Sequence, residues 1–278
     1  MQLRRTAPVL VTLALGIATL SSGTTIAATD ASELAPAPVV TVTTSEDDVV
    51  ASTQTVTPGN VLFSVSGSGS AVLLQLRGSY TLKKLYADFD KVFSGRPGPA
   101  RRMNRGATFY GGVFASMSDV PSQFGGDLAP GDYQLADLVS RRAVSFEVAG
   151  TPETRTAPSS AGTVRYTDHG IAMPRTMPVG GWMHLVNRSD EISLLDIVHV
   201  KPGTTRKAVR QHFASQGRKY ANRFTATYDS TLLLSPAQEY WWSYGLSKGP
   251  AVTSSLWPRE RDGEMQSFHG TWGMTQVR

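Results

Sequence analysis

Ser254-Ser255-Leu256-Trp257-Pro258, then Asp262-Gly263, then His269-Gly270-Thr271-Trp272-Gly273-Met274 is the stretch on which the reading of this chain turns. Pro258 and Asp262-Gly263 carry turn chemistry. His269 and Met274 stand five residues apart, an imidazole and a thioether that could both ligate a soft metal. Serines stand at the head of the stretch, and the chain has no cysteine at all.

Upstream of this loop, Lys201-Pro202-Gly203-Thr204 opens a helix that runs through Phe213, with Val209 and Phe213 one turn apart. Before it come a strand over Ile192 to Val200, a polar turn at Asn187-Arg188-Ser189-Asp190, and alternation at Trp182, His184 and Val186. Pro178-Val179-Gly180 and a strand at Thr163 to Tyr166 precede those. Thr151 to Gly162 has the Pro, Ser, Thr and Ala content of a linker. On its far side the same order occurs again. Val39 to Thr43 is a β-branched strand, Thr57-Pro58-Gly59 a turn, and Val61, Phe63 and Val65 an alternating strand. Ser66 to Ser70 is a Gly/Ser turn, Ala71 to Leu76 a strand, and Thr81 to Phe93 an amphipathic helix. Gly95 to Gly106, rich in arginine with two prolines, reads as a solvated loop. A repeat of about 120 residues implies two copies of one fold.

Met1 to Arg5 is a basic start, Ala7 to Leu20 an apolar run, and Thr25-Ile26-Ala27-Ala28 a small-residue cleavage site, so residues 1–28 read as a signal peptide. The formal charge is +5 (27 basic, 22 acidic); losing Arg4 and Arg5 leaves 25 minus 22, or +3. That balance argues against nucleic acid as a partner. The expected organisation is residues 29–38 as a flexible lead-in, 39–150 as one domain, 151–162 as linker and 163–278 as a second domain. No membrane span is expected after cleavage, which places the product outside the cell, secreted or associated with the cell wall.

A Pro-x-Gly turn, a strand ending in Asn187, a strand closing in Lys201-Pro202-Gly203-Thr204, a helix, then Pro258, Asp262-Gly263, His269 and Gly273-Met274 resemble cupredoxin-like domains of the secreted bacterial type. The resemblance implies an all-β fold: two tandem Greek-key cupredoxin-like β-sandwiches, each with one inserted α-helix. It also implies where copper would sit. Counting ten back from Gly203 puts Ser193 at the upstream histidine position. Counting three back from Pro258 puts Ser255, or Ser254 with one residue of slack, at the cysteine position. Ser193, Ser255, His269 and Met274 are therefore expected as vestigial positions, with no metal and no cofactor. In the first copy Gly131-Asp132-Tyr133 resembles the turn before the last loop, but Leu138 runs almost directly into Arg141-Arg142.

All five Trp and all five His lie in the second copy. Trp257 and Trp272 flank the loop and, with His269, are expected to form a contact surface for an extracellular protein or polysaccharide, because aromatics present rigid apolar area. His184 is expected in or near the core, and His199 lies too far along its strand from Ser193 to replace it as a ligand. Met173 and Met177 read as packing. Strand alternation in Tyr240-Trp241-Trp242-Ser243-Tyr244 should bury one Trp and expose the other. No hydrolase elbow, zinc motif, Walker loop or dinucleotide fingerprint occurs. The expectation is a secreted non-catalytic binding protein. The alternatives are a copper-binding or redox protein using His269 and Met274 with further ligands, and an extracellular enzyme of unrecognised chemistry.

Overall fold

Hydrophobic alternation sets the strands. β1 (Val39–Thr44) buries every second residue, and β4 (Gly59–Gly67) turns Val61, Phe63 and Val65 fully inward. The structure, a computed structural model, describes residues 35–115 and 121–278; the predicted signal peptide and most of the lead-in lie outside these. The other strands of the first half are β2 (Val49–Ala51), β3 (Thr55–Val56), β5 (Ser70–Leu76), β6 (Ala107–Phe114), β7 (Ser122–Leu128), β8 (Gly131–Asp137) and β9 (Arg142–Val148). The second half contributes β10 (Ser160–Thr167), β11 (Gly170–Ala172), β12 (Thr176–Met177), β13 (Gly180–Asn187), β14 (Asp196–Val200), β15 (Phe224–Ser230), β16 (Glu239–Gly245), β17 (Gly249–Ser254) and β18 (Trp272–Val277).

One sheet of the first half runs β2-β1-β4-β7 and the other β3-β9-β8-β5-β6. The second half runs β11-β10-β13-β16 and β12-β18-β17-β14-β15, the same order element for element. Adjacent pairs such as β1–β2, β5–β6 and β8–β9 stay within a layer while the chain crosses between layers from one pair to the next, which is the Greek-key sandwich of the cupredoxin type that the sequence predicts.

The halves join through both layers. β7 pairs with β16, with Trp242 opposite Phe124 and Trp241 opposite Gly125, so the two four-stranded sheets form one eight-stranded sheet. In the other layer the segment 231–235 runs beside β6. Leu232 and Ser235 donate their N–H groups to the carbonyls of Gly112 and Phe109, and Gly111 donates to Leu233. Gly111, at φ 103°, is required there, since a Cβ would stand 2.6 Å from the Tyr240 ring. Residues 34–278 form one compact unit. Of the predicted linker 151–162, the part before Ser160 is pinned to the first half, while Ser160 and the residues after it already belong to β10. Arg155–Thr156 pairs in parallel with Ala35–Pro36, and the Arg155 carbonyl accepts from Asn60 at 2.8 Å. Ala35–Pro36, read as lead-in, are thus part of the fold.

The second half carries one helix in this connection, α3 (Arg206–Ala214), capped by Thr205. The first carries two, which corrects the expectation of one. α1 (Leu82–Val92), capped by Thr81, is the amphipathic segment predicted. α2 (Pro97–Gly106) replaces the predicted loop. Pro97 and Pro99 resemble loop signals, yet both lie in the first turn, where a missing N–H breaks no intrahelical bond. Ala100 and Met103 are fully buried on one face. Arg102 of α2 meets the buried carboxylate of Asp88 on α1 at 2.5 Å, and the Tyr80 hydroxyl donates to the same carboxylate at 2.9 Å.

Asp196, the first residue of β14, is 9 % exposed, and its Oδ2 has no hydrogen-bond partner. Burial pushes its carboxyl up to about 7, against the one backbone N–H of Leu256 that favours the charged form. Burial likewise pushes Asp229 up to about 6. An acid whose folded pKa is raised holds its proton in the folded state while the unfolded chain has released it. Stability is therefore fullest below the unfolded value and declines as pH rises through the folded ones. Chemical denaturation should show a loss on the order of 1 to 3 kcal/mol between pH 5 and pH 8. Asp196→Asn should flatten most of that slope; an unchanged slope would remove Asp196 as its source.

Candidate functional site

The end of the second sandwich where β14 begins and β17 stops is closed by the loop 255–271. Its geometry starts from two serines. Ser193 is 1 % and Ser255 0 % exposed, and both hydroxyls converge on one atom, Oε1 of Gln266, at 3.3 and 2.7 Å. The Gln266 Nε2 donates to the Ile192 carbonyl at 2.8 Å and to Glu191 Oε2 at 3.2 Å. The backbone holds this arrangement. Ser255 donates its N–H to the Thr271 carbonyl, Ser267 to Ser255, and Gln266 to Trp257. Burial raises the carboxyls of Glu191 and of neighbouring Glu260 above the usual range.

The two expected serine positions are thus together, but His269 and Met274 are not with them. His269 is exposed, and its Nε2 pairs with Glu264 at 2.6 Å. Met274 lies inside β18 and packs beside Val200, Val209, Phe213 and Val252. The error is one of register. β18 starts at Trp272, so the last loop residue is Thr271, and a five-residue step back from it lands on Gln266. Taking His269 and Met274 as the matched pair set that step three residues late. Gln266 had no signal of its own beyond being a polar residue at that offset.

A blue-copper centre takes a thiolate, two imidazoles and a weak thioether. The groups that converge here are two hydroxyls and a carboxamide, neutral oxygen and nitrogen atoms already bonded to one another. This set does not fit a copper ion. In the first half the matching end is closed by Asp137, fully buried, whose carboxylate accepts from the Ser70 hydroxyl at 2.7 Å, the Val139 N–H at 3.0 Å and the Ser140 hydroxyl at 2.7 Å. Asp262, Glu264 and His269 bring three ligand-type atoms within 4.8 Å of one another on the outer face of the loop. Asp262 is claimed there by Arg259 and Arg261, which hold its carboxyl well below the usual range.

The aromatic surface expected at this end is corrected. Trp257 is fully buried, among Leu85, Val92, Met103 and Leu233, with its ring edge-on to Phe93 at 5.9 Å. It faces the helices of the first half. Arg101 and Asn104 of α2 extend that contact, bonding to the Glu260 carbonyl and to Glu260 Oε1. Gly263, at φ 80°, lies so close that a Cβ would stand 2.6 Å from the Gly95 carbonyl. Trp272 is 9 % exposed, packed on Phe213 and covered by the Arg206 guanidinium 5.3 Å from its ring. Of the three residues only His269 is exposed; Trp257 and Trp272 are buried.

Other candidates fall where packing sends them. Trp242 is buried and Trp241 half-exposed, as alternation requires. Met183 and Leu185 fill the core, so His184 points to the opposite face of β13, stacked on Trp241 at 4.7 Å and 3.6 Å from Glu239. Aligning it with Phe63 was a one-residue slip, which reverses the face. Desolvation lowers its pKa. Met177 is buried, and the Met173 sulfur accepts from Thr253 at 3.0 Å.

Two cavities flank the loop. One of about 320 Å³ is polar and is lined by Asp168, Glu191, Arg259, Gln266 and His269 among others. The other, of about 500 Å³, lies between β11, α3 and Phe268 to Trp272. No helix among the described residues is long and apolar enough to cross a membrane.

No protein-family profile and no curated protein matches the chain. Among solved structures it is similar to auracyanin from the photosynthetic bacterium Roseiflexus castenholzii, with 14 % identity over 44 % of this chain and 99 % of that one, at a TM-score of 0.27. It is also similar to the copper nitrite reductase of Nitrosomonas europaea, with 10 % identity over 87 % of this chain and 94 % of the other, at 0.26. A multicopper oxidase from Campylobacter jejuni aligns with 8 % identity over 87 % and 64 % of the two chains, at 0.23. The fold assignment rests on the strand order of this chain itself, a cupredoxin-like sandwich formed twice.

Proposed function

We propose that this chain is an exported, non-catalytic binding protein whose two cupredoxin-like domains arose by duplication and have given up copper. The observation that carries the reading is the Gln266 carboxamide, which accepts from both Ser193 and Ser255 and donates to Ile192 and Glu191. A protein cross-link occupies the point where a metal would bind the same three segments together. Redox chemistry at that point has no thiolate or imidazole to work with, and the Trp257 side of the loop is covered by α1 and α2. What remains accessible is the pair of cavities beside the loop, and binding is the activity they support.

Two measurements test this. Titration of the purified protein with Cu(I) and Cu(II) should give no stoichiometric site that depends on the loop; one-to-one binding weakened by His269→Ala or Met274→Ala would overturn the proposal. Gln266→Ala should lower stability by about 2 to 4 kcal/mol, because it leaves two buried hydroxyls and a buried carbonyl without their partner. Trp257→Ala, which empties the contact between loop and helices, should cost about 3 to 5 kcal/mol in the same denaturation assay.

A further inference from the structure

The larger cavity beside the loop has a built polarity. Its volume of about 500 Å³ falls within the usual range for small-molecule sites, about 300 to 1,000 Å³. Phe213 and Trp272, stacked on each other, line it together with Phe268 and with Ile171 of β11. Arg206 and Arg210 rise from α3 one turn apart, so their guanidinium groups share a face. No Asp or Glu is among the lining residues, and neither arginine forms an ion pair among the described residues. His169 stands at the opposite rim.

The chemistry follows from these groups. A guanidinium offers a planar fork that matches a carboxylate in two parallel hydrogen bonds. Arg206 is held in place by the Trp272 ring beneath it, which reduces the freedom it would lose on binding. An anion alone would leave the phenylalanine side of the cavity uncovered, and an uncharged apolar molecule would leave two forks unused. We infer that this groove binds an organic monocarboxylate with an aryl or alkyl body, its carboxylate clamped by Arg206 and Arg210 and its body laid on Phe213 and Phe268. The inference deepens the binding-protein reading and rests on it.

Calorimetric titration with N-acetylphenylalanine, phenylacetate and octanoate, each beside its uncharged amide, tests the assignment. At least one acid should bind, and its amide should bind about 10-fold to 100-fold more weakly, the range expected for charge-assisted bonds. Arg206→Ala and Arg210→Ala should each reduce affinity by a similar factor. Arg206→Lys, which keeps the charge and loses the fork, should fail to restore it. Both arginines are exposed on the helix surface, so melting curves of the variants should stay close to that of the parent. No binding by any acid, equal binding of an acid and its amide, or inorganic phosphate binding as tightly as the best acid would each overturn the inference. None of those results bears on the copper titration, which tests the metal-free reading separately.

Discussion

One carboxamide holds together the end of the second sandwich. Three chain segments meet there: the approach to β14, the exit from β17 and the loop that leads into β18. Each brings buried polar groups that would be expensive to leave unpaired. In a copper protein the ion satisfies such segments by ligation. Here Gln266 does it with two acceptor lone pairs and two donor hydrogens, all used, on Ser193, Ser255, Ile192 and Glu191. The fully satisfied network explains how the loop keeps a fixed shape with protein groups alone. The same problem in the first half has a shorter solution, with Asp137 bonded to Ser70, Val139 and Ser140 across a tight turn.

The fixed loop in turn becomes a wall. Its inner aromatic, Trp257, is pressed into α1 and α2, and the carbonyl and carboxylate of Glu260 accept from Arg101 and Asn104 respectively. That contact, together with the strand pairings of both layers, merges the halves into one packed body. The outer side of the loop, from Phe268 to Trp272, is left to form one flank of the basic groove. Rigid support behind Arg206 and Trp272 thus comes from the loop 255–271 itself, a division of labour in which one face is spent on packing and the other lines the groove.

Much of this was legible in the residues. Alternation in β1 and β4 and the helical period of α1 are local patterns with a fixed geometric meaning, and the repetition of the same order after residue 162 pointed to a second sandwich. The positions of Ser193 and Ser255 followed from short anchors close by. What failed did so for identifiable reasons. The prolines of α2 carry the same letters whether they break a helix or begin one. His184 was misplaced by a one-residue slip, and a period of two turns such a slip into the opposite face. His269 and Met274 were matched directly to the resemblance and Gln266 was passed over, because the onset of β18 is set by pairing with β17 and is invisible in a single chain segment. The tryptophans were read as surface because their neighbours lie far away in sequence, and burial against α1 leaves no trace in the loop's own pattern.

The joining of β7 to β16 has one more consequence. A sandwich standing alone would offer a seven-residue strand along an open margin, a template for other chains to add to. Here the two margins are joined to each other at Trp241–Gly125 and Trp242–Phe124, and the continuous sheet ends at Val49–Ala51 on one side and Gly170–Ala172 on the other, three residues each. Such short borders give little purchase for fibril-like association. For a protein with no disulfide to restrain it, that geometry provides protection against aggregation that cross-linked sandwiches obtain by covalent means.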